Sequence, residues 1–331
     1  MSYYSVEELA LKDDSEEEQI RTRKIFEDLK LRGLRGEKLL EREKEFLCTL
    51  LKLTLYKDDG RPEDFSICND FIFRELYLTY FHNDLAGPFY KAKRGKVVEV
   101  EDKEKFKDLK TLQVISDKWQ KELAIENHKD QILQELSAET RKDLKALDKK
   151  YPKLLRRFKK KQDDYRLQKD KLILQSKFIY LLTKSVMEDY HQADFEIPFS
   201  GEILEFTSYS LIHITNRHYA QHIKNNDTKT YHYKNFLPKE LHLNLKLILV
   251  EIDKLNVIDI SLTNNIIFVY EGVFYHLWIE KKTKQVKGKS NVLFNRIQSF
   301  YPIYDKNKLR EIENEYTLVT VSPKLDVFKR S

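Results

Sequence analysis

Two different rhythms of apolar residues divide the chain. Through roughly its first 190 residues, apolar positions recur at three- and four-residue steps, the period of helices with one buried stripe. Residues 5–55 fit a helical reading, with Ser5 ahead of Glu7 and Glu8 as a start signal. The cluster "KDDGRPED" at 57–64 reads as a turn, and the aromatic-dense run at 65–89 as a buried helix. "GKVVEVED" at 95–102 suits a short strand or an extended linker. Two long helices follow, Asp130–Lys150 and Pro152–Tyr190, with Pro152 in a first-turn position. The second has an apolar stripe through Leu154, Leu155, Phe158, Tyr165, Leu172, Ile179, Leu182 and Val186. A helical hairpin or arm is expected here.

The rhythm changes near residue 195, within "HQADFEIPFSGEILEF" at 191–206 with its Pro198 and Gly201. Helices are expected at 207–224 and 238–253. Four runs rich in Ile, Val, Phe and Tyr come next: "NVIDISLT", "NIIFVYEG", "VFYHLWIEKK" and "NVLFNRIQSFYPI". They predict a four-stranded antiparallel sheet, with Gly272 closing a tight hairpin. The fold class is α+β. A helical region over residues 1–195 precedes a module of helices and sheet over 196–331.

Composition narrows this picture. Eight glycines and seven prolines in 331 residues are too few for a tightly turned all-β fold. The close pair in "RGLRG" at 32–36 lacks the spacing of a nucleotide-phosphate loop. Cys48 and Cys68 are too few to staple the chain and wrongly spaced for a zinc ribbon, so buried free thiols are expected. No apolar run reaches the ~20 residues that a bilayer needs, and the acidic start lacks a signal-peptide core. A cytoplasmic protein without membrane contact is expected.

The formal net charge is +6, but it is unevenly spread. Residues 139–177 hold fifteen Lys and Arg against six Asp and Glu. Such a stripe attracts polyanions by releasing their counterions. Arg156, Arg157, Lys159, Lys160 and Lys161 are its densest part and the candidate nucleic-acid contacts. A solvated helix face is the plainer explanation.

The chemistry-bearing stretch is "SLIHITNRHYAQHIKN", residues 210–225, which holds three of the nine histidines. At 100° per residue, Ile212, Tyr219 and Ile223 share a core face. His213 and Arg217 lie one turn apart on one flank, His218 and His222 on the opposite flank. An unbroken helix cannot aim both pairs into one cleft. A metal site built on His218 and His222 lacks a third ligand and the glutamate of a metalloprotease helix, so no metal or cofactor is assigned.

Two ribonuclease resemblances compete for these residues. Arg217 through His222 resembles the R-x4-H motif of HEPN ribonucleases, in which paired helices meet at a dimer interface. Over residues 200–304, "SLIHITNRH" followed by a helix and strands ending in Ser299-Phe300-Tyr301-Pro302 resembles the barnase/EndoU/RelE-like superfold. The likeness is to its phage and mobile-element branch, with Ser299 standing where threonine is expected. That resemblance implies a metal-independent endoribonuclease, acting as a toxin or defence effector on RNA. It implies His213 and His218 as acid and base, Arg217 and Arg296 as phosphate holders, and Ser299 and Tyr301 as orienting groups. Residues 1–195 would then dock a protein regulator or inhibitor. The physical logic is sound: imidazole titrates near neutrality, and guanidinium grips phosphate through a planar fork. His276 alternates with Phe274 and Trp278 on one strand face, where a structural role is expected. A non-catalytic nucleic-acid-binding or scaffold protein is the alternative from outside enzymology.

Overall fold

A computed structural model describes residues 3–10, 12, 15–34, 37, 39–40, 42–43, 46–47, 73, 76–77, 79–80, 89–93, 96–219, 232, 236–284 and 292–330. The expected thiols Cys48 and Cys68, the turn at 57–64 and most of the aromatic run at 65–89 lie outside these residues. The chain divides into two compact units, residues 1–127 with 140–182, and residues 128–139 with 183–331.

In the first unit, the helix expected over 5–55 is interrupted. Helix α1 (Val6–Leu9) is closed by a capping box, with Ser5 Oγ accepting from Glu8 N and Glu8 Oε2 accepting from Ser5 N. Helix α2 (Glu16–Leu34) restarts behind it because Ser15 Oγ accepts from Glu18 N. A strand pair, β1 (Tyr90–Lys93) and β2 (Lys96–Glu99), settles the ambiguous segment near 95–102 as a strand. Helix α3 (Asp102–Ala124) buries Leu112, Ser116, Trp119 and Leu123, one stripe of helical period. Its stripe carries hydrogen bonds as well as apolar contacts: Trp119 Nε1 donates to Ser176 Oγ at 2.9 Å and Ser116 Oγ to Asp170 Oδ1 at 2.8 Å.

Helix α4 (Gln131–Lys150) matches expectation, but Pro152–Tyr190 is not one helix. Leu155–Arg157 form a 3-10 turn, Phe158 is extended, and helix α5 runs Lys159–Asp189. Tyr165 Oη donates to Asp148 Oδ1 at 2.9 Å, which ties the start of α5 to the end of α4. The break takes Leu154 (67 % exposed), Leu155 and Phe158 (66 % exposed) out of the apolar stripe, whereas Leu172, Ile179, Leu182 and Val186 remain buried.

The second unit is built on a mixed seven-stranded sheet, not four antiparallel strands. Strands β3 (Glu196–Phe199) and β4 (Glu202–Glu205) arise from the stretch at the boundary between the two regions, where no strand was expected. Ser200 and Gly201, with φ of 54° and 74°, make the tight turn between them. Pro198 is tolerated because β3 is an edge strand. Helices α6 (Ser208–His218) and α7 (Leu241–Asp253) come next, then strands β5 (Asn265–Tyr270), β6 (Val273–Lys284) and β7 (Val292–Pro302). Helix α8 (Lys306–Glu315) and strands β8 (Tyr316–Ser322) and β9 (Leu325–Arg330) complete the chain. The order is β3-β4-β7-β6-β5-β9-β8, and β4 pairs with β7 in parallel.

"NVIDISLT" is not a strand. Asp259 folds it into a turn, its Oδ1 accepting from Ser261 N at 2.8 Å and its carbonyl accepting from Leu262 N and Thr263 N. The expected hairpin at Glu271–Gly272 is present, with positive φ at both residues.

Both faces of the sheet are covered near its centre. Phe236, Phe268, Tyr275 and Phe300 pack as one aromatic cluster on one face. On the other, Ile267, Ile303 and Phe328 meet Ile312 of α8. The parallel pairing of β4 with β7 spans only Leu204–Asn295 and Glu205–Arg296. Beyond it the edge of β7 is held from outside the sheet. Ser210 Oγ donates to the Ile297 carbonyl at 2.6 Å, and His232 Nε2 meets the Phe300 carbonyl at 2.9 Å.

Candidate active site

Helix α6 is unbroken, so its two flanks remain apart. Thr207 caps it, with Ser210 Oγ accepting from Thr207 N at 3.0 Å and Thr207 Oγ1 accepting from Ser210 N. Leu211, Ile212 and Ile214 are buried, as is Tyr219 just past its end. Ile223, expected on the same face, lies outside the described residues.

The first flank is turned inward onto a buried carboxylate. Arg217 donates to Glu139 Oε2 at 2.9 Å, His213 Nδ1 lies 3.7 Å from the same oxygen, and Tyr209 Oη reaches Glu139 Oε1 at 3.4 Å. The Tyr209 and His213 rings stack 5.7 Å apart. The Arg296 guanidinium lies 4.0 Å above the Tyr209 ring and donates to Gln298 Oε1 at 2.7 Å, with Glu280 Oε2 at 3.5 Å. His213, Arg217 and Arg296 thus share one network with Glu139, Tyr209 and Gln298. The guanidinium groups of Arg217 and Arg296 face protein acceptors.

The second flank meets the strand that carries Ser299 and Tyr301. His218 Nε2 lies 3.1 Å from Ser299 Oγ, and its ring stacks on Tyr301 at 4.8 Å. The register of β6 with β7 sets His276 opposite Tyr301 and Trp278 opposite Ser299. His276 Nδ1 lies 2.6 Å from Tyr301 Oη, and its Nε2 2.8 Å from Asn265 Oδ1 on β5. Lys308, on α8, donates to Tyr301 Oη at 3.3 Å. His218, His276, Tyr301, Asn265 and Lys308 are all half-buried, and Trp278 is 38 % exposed beside them.

Of the six candidate site residues, three come together here: His218, Ser299 and Tyr301. His213, Arg217 and Arg296 belong to the other network. His222, the second half of the HEPN-like motif, lies outside the described residues. Asn265, Lys308 and Glu139 were not singled out from the sequence. Their chemistry depends on register and on a helix that carried no motif. His276 had a visible signal, its place on a strand face shared with Trp278, and here it has a polar partner on each ring nitrogen.

Burial, with a smaller contribution from the Lys308 charge, lowers His276 to about 4, so its ring is neutral at physiological pH. Among the described residues, no group of three or more His, Cys, Asp or Glu side chains is placed to hold a metal ion. Also among them, no helix is long and apolar enough to cross a membrane. Elsewhere, Arg156 lies 3.4 Å from Asp148 and 4.2 Å above the Tyr165 ring, while Arg157, Lys159, Lys160 and Lys161 are exposed. No protein-family model, curated protein or solved structure matches the chain.

Proposed function

We propose that the chain is a metal-independent endoribonuclease whose reaction centre is His218, Ser299 and Tyr301, with Lys308 as the phosphate-holding cation. The observation that carries this reading is the meeting of His218 with Ser299 and Tyr301 beside an ammonium group. Cleavage by the 2′-hydroxyl needs a proton acceptor, a proton donor for the 5′ oxygen and a cation on the phosphorane oxygens. These side chains supply all three. Ser299 Oγ orients the His218 ring. Trp278 offers an aromatic face for an unstacked base, the usual way that single-stranded RNA is gripped. Arg217 and Arg296 support the scaffold in this reading and are not phosphate ligands. The activity would suit a toxin or defence effector, with residues 1–195 docking a protein that restrains it.

The test is incubation of the purified protein with single-stranded RNA. Products with 2′,3′-cyclic phosphate ends and undiminished activity in EDTA are expected. His218→Ala should lower kcat by about 10²–10⁴-fold while RNA affinity stays within a few-fold. Intact RNA under all conditions, or loss of cleavage in EDTA, overturns the reading.

A second reading is favoured by the exposed Arg157, Lys159, Lys160 and Lys161 next to the exposed Phe158. Cations with an adjacent aromatic ring bind single strands without cleaving them. Binding that weakens steeply with salt and yields no product identifies that case.

A further inference from the structure

Behind Tyr301 lies an ordered line of hydrogen bonds that cleavage by His218 alone does not require. Asn265 Nδ2 donates to Asn264 Oδ1 at 2.6 Å, which leaves Asn265 Oδ1 as the acceptor facing His276. His276 Nε2 therefore carries the proton. Nδ1 is left as a bare acceptor 2.6 Å from Tyr301 Oη, so the phenol donates to it. With its proton directed inward, the Tyr301 oxygen turns its lone pairs outward, where Lys308 donates to one of them. Lys308 Nζ also stands 5.3 Å from the centre of the Tyr301 ring.

We propose that Asn265, His276 and Tyr301 form a proton relay, in which Tyr301 takes the proton of the attacking hydroxyl while its own proton passes to His276, with an anion held by Lys308 switching the relay on. The proposal rests on the reading of this site as one for RNA. In the step, the 2′-O–H bond breaks and its proton joins Tyr301 Oη. The Tyr301 proton moves to His276 Nδ1. The O2′–P bond forms and the P–O5′ bond breaks, with protonated His218 supplying the proton to O5′. The step ends with His276 protonated and His218 neutral, and exchange with water restores both. Tyr301 is a catalytic residue here. His276 and Asn265 act through it, the first as proton acceptor and the second by fixing the tautomer.

The switch follows from the surroundings of His276. Tyr301 on β7, Asn265 on β5 and Lys308 on α8 face it, and His218 lies beyond Tyr301. On its own strand Phe274 and Trp278 are uncharged, and Glu280 is engaged by Lys282 and Arg296. Burial disfavours the imidazolium first, and the Lys308 charge second. A phosphate bound to Lys308 cancels that second cause, so His276 gains proton affinity only when the anion is in place.

The experiment is long-range proton–nitrogen NMR of the imidazole rings in the full-length protein, with inorganic phosphate as the probe. His276 should show the Nε2–H form, with a protonation midpoint near 4 that phosphate raises. Lys308→Met should raise the midpoint without phosphate and abolish the response to it. Tyr301→Phe should move the Nδ1 resonance toward that of an unbonded acceptor. In the cleavage assay the same variant should lose about 10²-fold in kcat with little change in KM. An Nδ1–H tautomer, or a midpoint indifferent to both phosphate and Lys308→Met, overturns the relay even if RNA is cleaved. Intact RNA with the expected tautomer and phosphate response overturns the ribonuclease reading instead, leaving an anion-linked proton site without the proposed substrate.

Discussion

The sharpest distinction at the residue scale is between two side chains one position apart. Arg217 belongs to Glu139, a carboxylate only 1 % exposed, while His218 belongs to Ser299 and Tyr301. Removing one member of a buried pair costs up to ~3–5 kcal/mol, and here Tyr209 and His213 beside Glu139 offset part of that cost. Arg217→Ala should therefore lower the denaturation midpoint of the second unit markedly, measured by urea titration. His218→Ala should not. If Arg217→Ala abolished cleavage with stability unchanged, Arg217 would be a reaction-centre residue of the HEPN kind.

Among the elements, the edge of β7 and the underside of α7 show how histidine can serve as packing material. His232 seals the edge of β7 and stacks on Tyr219 at 4.8 Å, and burial lowers it to about 3. His242, on α7, stacks on Phe195 at 4.5 Å with neither ring nitrogen hydrogen-bonded, and burial lowers it to about 4. The unfolded chain takes up a proton on each near pH 6.5, whereas the folded chain resists until its lower midpoint. Their contribution is whole above about pH 6.5 and is lost as the pH falls towards 4 and then 3. Each group should give a slope of up to about 1 kcal/mol per pH unit in that window. Urea midpoints at pH 7, 6 and 5, followed through the Trp278 indole, test this. His242→Leu should flatten the slope, since it removes a titrating ring from an apolar site.

For the molecule as a whole, charge and chemistry sit in different units. The basic run at 157–161 belongs to the first and the His218 centre to the second. The break at Phe158 matters here, because it leaves Arg157, Phe158 and the first residues of α5, Lys159–Lys161, in solvent. Replacing Arg157, Lys159, Lys160 and Lys161 together by Gln should weaken RNA binding. It should also reduce the slope of log affinity against log salt by ~0.7 for each lost phosphate contact. Cleavage of saturating RNA should be retained. An unchanged salt slope, read by fluorescence anisotropy, would remove this segment from the binding surface.

Much was legible in the sequence because it depends on local periodicity. The helix through His218, the hairpin at Glu271–Gly272, the two-faced strand with Tyr275, Leu277 and Ile279 inward, and the opposed flanks of α6 all follow from side-chain spacing along one element. Spacing also showed that an unbroken helix keeps His218 and Arg217 on opposite flanks. It could not say which flank meets Ser299 and Tyr301, since that is set by β4 running parallel to β7 and handing directly into α6. Nor could it supply partners distant in the chain: Glu139 for Arg217, Asn265 and Tyr301 for His276, Lys308 for Tyr301. The strands β3 and β4 stayed hidden because each is only four residues long, and β8 and β9 were not singled out from the sequence. Local backbone preference marks where an element can form. The pairing of strands, and the desolvation of charges that comes with it, decides which side chains face water, and only the folded chain contains that information.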